Sequence, residues 1–176
     1  MKKILFSIII LLNVFQVFAQ KAYFQQEANY VINVALDDKT HTAKGNINIE
    51  YTNNSPDELP YIYMHLWGNA FKNQKSAFAK QLLRNYKTDY YFSKPEEKGG
   101  YSDLDFKVNG EMAKLEFDAN NPDIAKLMLP KALKSGEKIT IATPFTLRIP
   151  TSYSRFGHVG ESYQMTQWFQ IGRAHV

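Results

Sequence analysis

From Tyr30 to Leu36 apolar and polar side chains alternate, placing Tyr30, Ile32, Val34 and Leu36 on one face. That period of two is the signature of a strand with one buried side. Asp37-Asp38-Lys39-Thr40 supplies a turn, and Ile47, Ile49 and Tyr51 resume the alternation. Asn53-Asn54-Ser55-Pro56-Asp57 closes this second strand, because Asn and Asp tolerate tight turns and Pro fixes φ. Leu59 to Leu66 reads as a third strand, dense in aromatic residues. Phe106 to Met112 reads as a hairpin centred on Asn109-Gly110, since both central residues of a type I′ turn take positive φ. Ile124 to Leu129 is the next strand, punctuated by Pro130 and Ser135-Gly136 before Lys138 to Thr143, and a last strand runs through Tyr163 to Phe169.

One stretch departs from the period of two. Between Ser76 and Tyr86, Phe78, Leu82, Leu83 and Tyr86 recur at helical spacing, and Ser76 is placed to cap the first turn. Glycine and charge from Lys94 to Gly100 mark a loop. Short strands at near-regular spacing with a single helical excursion predict an all-β fold, a two-layer antiparallel β-sandwich with one short helical insertion.

The two ends change how the rest is read. Lys2 and Lys3 precede an apolar run from Ile4 to Phe18, and Val17-Phe18-Ala19 puts small residues at −3 and −1 before Gln20. This is the pattern of a secretory signal peptide over 1–19. As a membrane anchor the 15-residue run, broken by Ser7, Asn13 and Gln16, falls short of the roughly 20 needed to span. The expected compartment is periplasmic or extracellular, with no membrane span after cleavage. At the other end, Ile171 to Val176 has a codon choice that spells a common sequencing-library adapter. The expectation is therefore a C-terminally truncated domain over 20–170, whose native sequence runs out near Phe169, followed by an adapter-derived 171–176.

Charge excludes one partner class. The formal charge is +4, but setting aside Lys2, Lys3 and Arg173 leaves 18 basic residues against 17 acidic. No basic stripe with interleaved aromatics remains, so nucleic acid is not an expected partner. The chain has no cysteine, so an exported domain must hold itself together by core packing rather than by disulfides.

Residue by residue, little carries chemistry. His41, His65 and His158 lie far apart without a second ligand at i+2 or i+4, whereas a zinc site needs three or four ligands converging tetrahedrally. His65, in an aromatic strand, reads as a hydrogen-bonded structural histidine, and His158 as a loop residue. Ser152, Ser154 and Ser162 lack a nucleophile elbow. The acidic pairs Asp37-Asp38 and Glu96-Glu97 read as solvated turn residues. Aromatic residues make up 14% of the chain and cluster at Tyr61, Tyr63, Trp67, Phe71, Tyr90, Tyr91 and Phe92. Alternating aromatics on a strand are expected to pack against the second sheet; an exposed sugar-binding platform is the alternative.

Three segments carry a resemblance: Tyr23-Phe24-Gln25-Gln26-Glu27-Ala28-Asn29-Tyr30, His65-Leu66-Trp67-Gly68-Asn69-Ala70-Phe71-Lys72-Asn73, and Thr166-Gln167-Trp168-Phe169. Together with Leu133-Lys134-Ser135-Gly136-Glu137 they resemble the N-terminal domain of exported bacterial zinc aminopeptidases of the aminopeptidase N family, which includes the leukotriene-hydrolase-like enzymes. The resemblance implies a saddle-like β domain flanking a thermolysin-like catalytic domain. In such a parent, H-E-x-x-H and a later Glu hold zinc, and the motif Glu activates the metal-bound water. No such motif occurs in this chain. It is expected downstream of Phe169, so this fragment itself is expected to bind no zinc and to meet peptide substrate only through the missing catalytic domain.

One substrate-binding residue is implied here. The family carries a Ser/Thr-Gln pair on a loop that reaches the substrate side of the zinc cleft, and Thr166 and Gln167 match it. The family's Gln or Glu two residues after that Gln is Phe169 in this chain, a departure that removes a second amine contact. Two rivals stand beside the peptidase reading: an exported non-enzymatic β-sandwich binding a carbohydrate or surface ligand, and a relative whose catalytic half has lost its zinc ligands and serves as a scaffold.

Overall fold

The computed structural model describes residues 24–169 and the backbone of Ile171–Arg173. The signal peptide expected over 1–19 lies outside the described residues. Two antiparallel sheets face each other, as the alternation predicts. The larger is built on β1 (Glu27–Asp37), β2 (Thr42–Thr52) and β9 (Lys138–Arg148), and against the far side of β9 lie β4 (Gly100–Ser102) and the hairpin β5–β6 (Lys107–Val108, Glu111–Met112). The smaller sheet runs in the order β12 (Ile171–Arg173), β3 (Leu59–His65), β8 (Ile124–Leu133), β7 (Leu115–Phe117). A separate hairpin pairs β10 (Phe156–Val159) with β11 (Ser162–Met165).

Aliphatic rows from the two sheets make the core. Ile47, Ile49 and Tyr51 of β2 and Ile141, Phe145 and Leu147 of β9 face Ile62, Met64 and Leu66 at β3 and Ala125 and Leu127 of β8. All are buried, and burial of such side chains stabilises by about 1.5–3 kcal/mol each. Asn109 and Gly110 take φ of 51° and 87°, the conformation the hairpin turn requires.

Two strand ends differ from the sequence reading, both at proline. β8 does not stop at Pro130 but continues to Leu133. The register jumps from Tyr61↔Met128 to Leu59↔Leu133, so Pro130 sits in a bulge, where its missing N–H breaks no ladder bond. β9 likewise runs through Pro144 to Arg148. On its β4/β5 flank, β5 pairs no further than Ala142 and β4 begins at Thr146, and Pro144 falls in that gap.

The last strand is shorter than predicted. β11 ends at Met165, and Thr166 to Phe169 is bends and coil. The aromatic alternation of β3 also points the other way. Ile62, Met64 and Leu66 take the core, while Tyr61, Tyr63 and His65 lie half-exposed on the outer face. Both parities of this strand are apolar enough to be buried, and the row without polar atoms is the one that goes inside.

The excursion between β3 and β4 holds more than one helix. A 3-10 turn (Trp67–Phe71) leads to α1 (Ala77–Arg84), a single turn α2 (Asp89–Phe92) and a second 3-10 turn (Pro95–Glu97). Ser76 caps α1 by accepting from the Ala79 N–H at 3.1 Å. The buried Asn69 side chain fastens the first turn, accepting from the Tyr101 N–H at 2.8 Å and donating to the Pro122 carbonyl at 3.1 Å. The backbone of Ile171–Arg173 pairs with β3 through Ile171↔His65 and Arg173↔Tyr63; an open strand edge accepts a backbone whatever its side chains.

Candidate functional site

Gln167 lies two residues past the end of β11, and its presentation comes from its neighbours. Thr166 is tied to the Arg155 carbonyl through both its N–H (3.2 Å) and its hydroxyl (2.8 Å). The Trp168 carbonyl accepts from the Tyr101 hydroxyl. Burial pushes the Tyr101 phenol well above its ordinary range, so this donor stays protonated. The Trp168 ring packs beside Phe145 at 6.2 Å between centroids, and Phe169 meets Tyr30 edge-on at 5.6 Å. Between these anchors Gln167 takes a φ of 53°, a left-handed conformation uncommon outside glycine. Its side chain is left exposed. Gln167 therefore points away from the core and Trp168 toward it, through a turn rather than through strand alternation.

Thr166 and Gln167 form one rim of a cleft of about 710 Å³. Its floor is apolar: Phe71 meets Phe78 at 4.6 Å and Phe156 at 5.2 Å, and Leu82 of α1 closes the far wall. At one end His65 Nε2 lies 3.2 Å from Asp123 Oδ2, and Trp67 covers the imidazole at 3.6 Å between centroids. His65 is thus the hydrogen-bonded histidine expected from its strand. The second Asp123 oxygen and the Trp67 indole N–H are buried without a partner. Ser154 also lines the cleft; among the described residues the ring nitrogen of His65 that makes a hydrogen bond meets Asp123 rather than this hydroxyl.

The other two histidines, 117 positions apart in the chain, meet. His41, in the β1–β2 turn with φ of 50°, stacks on His158 of β10 at 3.6 Å and 16° between planes. Its Nδ1 lies 2.7 Å from the Tyr163 hydroxyl, and His158 Nδ1 lies 3.3 Å from the Gly160 carbonyl. Burial, opposed by that hydrogen bond and reinforced by the neighbouring His41, lowers the His158 pKa below the ordinary histidine value. No spacing rule reveals this pair, because only the packing of the β10–β11 hairpin on the β1–β2 turn creates it. Stacked imidazoles present their nitrogens side by side rather than toward a shared point. Among the described residues no three His, Cys, Asp or Glu side chains form a metal-holding group. Among the described residues the histidines do not converge as a tetrahedral zinc site requires.

The acidic pairs behave as turn residues. Asp37 accepts from the N–H groups of Lys39 and Thr40 at 2.9 and 3.1 Å, and hydrogen bonding, led by the Thr40 side chain, holds its carboxyl below the usual range. Glu97 accepts from the Lys94 N–H at 2.6 Å. Of the clustered aromatics, Phe71 and Tyr90 are buried, while Tyr91 and Phe92 are exposed.

No protein-family model matches this chain, and no curated protein matches its sequence significantly.

Proposed function

We propose that this chain is the non-catalytic N-terminal β domain of an exported zinc aminopeptidase of the aminopeptidase N family, which removes N-terminal residues from peptides. Its contribution to that reaction is the amide of Gln167, offered to substrate held in the zinc-bearing catalytic domain. The observation that carries this reading is the geometry of the Gln167 loop. A glutamine in a left-handed turn, pinned on both sides and directed outward beside an open cleft, is placed to hydrogen-bond a ligand rather than to support the fold. An amide there donates to and accepts from a peptide backbone without adding charge.

The test uses the chain joined to its downstream reading frame. A single hydrogen bond to a neutral group contributes about 0.5–1.5 kcal/mol and leaving its partner unsatisfied costs more, about 1–3 kcal/mol, so Gln167→Ala should lower kcat/KM by roughly three- to thirty-fold, with unchanged melting temperature. Wild-type kinetics for Gln167→Ala, or a downstream frame without zinc ligands, overturns the reading.

The carbohydrate-binding alternative has its own supporting observation, the outward-facing Tyr61 and Tyr63. It ranks second because the Lys126 ammonium lies over the Tyr61 ring at 4.5 Å and the two tyrosines meet at 86°, so they form no flat platform on which a sugar could stack. Retention of the chain on a polysaccharide column, abolished by Tyr61→Ala, would reverse that ranking.

A further inference from the structure

Among the described residues, β1 is an edge strand: β2 pairs one side of it over eleven unbroken residue pairs, with no bulge, and no strand pairs the other. An unpaired edge is a row of free N–H and C=O groups, and proteins usually blunt it with lysine, proline, a bulge or shortness. β1 has none of these. It is eleven residues long, and from Ala28 to Leu36 it holds no charge, no proline and no glycine.

It also carries large apolar side chains that its own fold leaves bare. Val34 and Leu36 follow Tyr30 and Ile32 on the core face, yet they are 47% and 49% exposed because the smaller sheet does not reach them. Val31, on the opposite face, is 62% exposed beside Asn48 of β2.

We propose that this edge pairs antiparallel with β1 of a second copy of the chain, about a twofold axis at Val31, joining the two larger sheets into one. The chemistry of an open edge specifies a strand as partner, and the sequence of β1 is self-complementary in this register. Tyr30 then lies opposite the other copy's Ile32, an aromatic against a β-branched residue, which is a favourable cross-strand pair. Asn29 lies opposite Asn33, Ala28 opposite Val34, and Val31 opposite itself. The bare Val34 of each copy thereby meets the packed end of the other. Centring the axis on Ile32 would instead set Glu27 against Asp37 at both ends, a like-charge pair that destabilises. A shift of half a residue pair would turn the core face of one copy to the outer face of the other.

Because the chain has no cysteine, Val31→Cys tests the register directly. Residues directly opposite across antiparallel strands lie about 4.5–5.5 Å apart at Cα, within disulfide reach. Val31→Cys should oxidise to a covalent dimer. Asn33→Cys should not, because its two copies sit four residues apart along the strand, roughly 13 Å.

Sedimentation equilibrium supplies the second arm. The purified chain should show a monomer–dimer equilibrium that Val31→Lys weakens at least about tenfold, without lowering the melting temperature measured at dilutions where both proteins are monomeric. Mixing Val31→Lys with Val31→Glu should restore the dimer. A wild-type chain that remains monomeric throughout the concentration series overturns the proposal. So does a dimer indifferent to Val31→Lys, or an Asn33→Cys protein that cross-links as well as Val31→Cys.

Discussion

Asn53 is fully buried and makes more hydrogen bonds than any surface substitution could imitate. Its amide donates to the carbonyls of Asp57 (2.8 Å) and Leu133 (3.0 Å), while its oxygen accepts from the Ser55 N–H (3.0 Å), the Ser55 hydroxyl (2.6 Å) and Gln26 (3.2 Å). One side chain thus ties the β2–β3 loop to the end of β8 and to the approach to β1. In Asn53→Ala the Ser55 hydroxyl, whose one proton no longer has Asn53 as acceptor, turns to the Asp57 carbonyl at 2.9 Å, but the Leu133 carbonyl and the Ser55 N–H lose the Asn53 side chain that serves them. Two stranded buried groups at about 1–3 kcal/mol each give a destabilisation of about 2–6 kcal/mol. For a domain of this size that is a fall in Tm of roughly 4–24 °C. Asn53→Asp sharpens the test. At neutral pH it sets a carboxylate oxygen against two carbonyl oxygens, so its pKa in the folded state must rise above the unfolded value of about 3.9. A raised carboxyl pKa contributes stability below the unfolded pKa and loses it as pH rises through the folded one. Asn53→Asp should therefore be the less stable variant at pH 7 and should gain on Asn53→Ala as the solution is acidified. Urea unfolding of both variants across pH is the assay. A cost below about 1 kcal/mol for Asn53→Ala, or parallel pH profiles for the two, refutes the reasoning.

Trp168→Ala should destabilise the domain by about 1.5–3 kcal/mol, since its half-buried ring packs on the core beside Phe145, while Gln167→Ala should leave the urea midpoint unmoved; equal effects would refute the turn at Gln167. The neutral form of His158 is favoured in the fold, so its contribution is complete above the ordinary histidine pKa of about 6.5 and is lost as pH falls through its lowered folded value. A ring titration by NMR that falls below that of free histidine, with hydrogen exchange in β10–β11 quickening on acidification, is the expected result, and titration at or above the free value contradicts it. A Cβ on Gly68 would stand 2.5 Å from Leu147 Cδ1 and 3.0 Å from a Tyr101 ring carbon, so Gly68→Ala should cost about 1–3 kcal/mol by overpacking, measured as a shifted melting curve. The dialysed chain should carry no stoichiometric zinc by metal analysis, because its histidines are stacked or paired rather than convergent.

The larger sheet was legible because its strands alternate cleanly: Ile47, Ile49 and Tyr51 are apolar and Asn46, Asn48 and Glu50 are not. β3 was not, because Tyr61, Tyr63 and His65 compete with Ile62, Met64 and Leu66, and parity alone cannot choose between two apolar rows. Pro130 misled for a related reason, and the strand read as ending at Thr143 likewise runs on through Pro144. Local rules place proline at strand ends, whereas a bulge and a gap in pairing accommodate it mid-strand. α1 was legible through its spacing and the Ser76 cap. The His41–His158 pair was not, since no local pattern joins a turn to a hairpin 117 positions away.

Gln167 shows the same division most sharply. Strand alternation would set it opposite Thr166 and Trp168, and the structure does separate it from Trp168, but the cause lies in a single left-handed residue. That residue is held by contacts its own side chain does not make. Thr166 is fixed on Arg155, the Trp168 carbonyl on a tyrosine that burial keeps protonated, and the Trp168 and Phe169 rings on the core. The loop conformation is thus set by the backbone and by flanking residues, and the amide it presents carries none of that work. Such a position can change its chemistry without changing its fold. The same logic applies to Phe169: its ring anchors the loop against Tyr30, so this side chain too serves to hold the turn that presents the Gln167 amide.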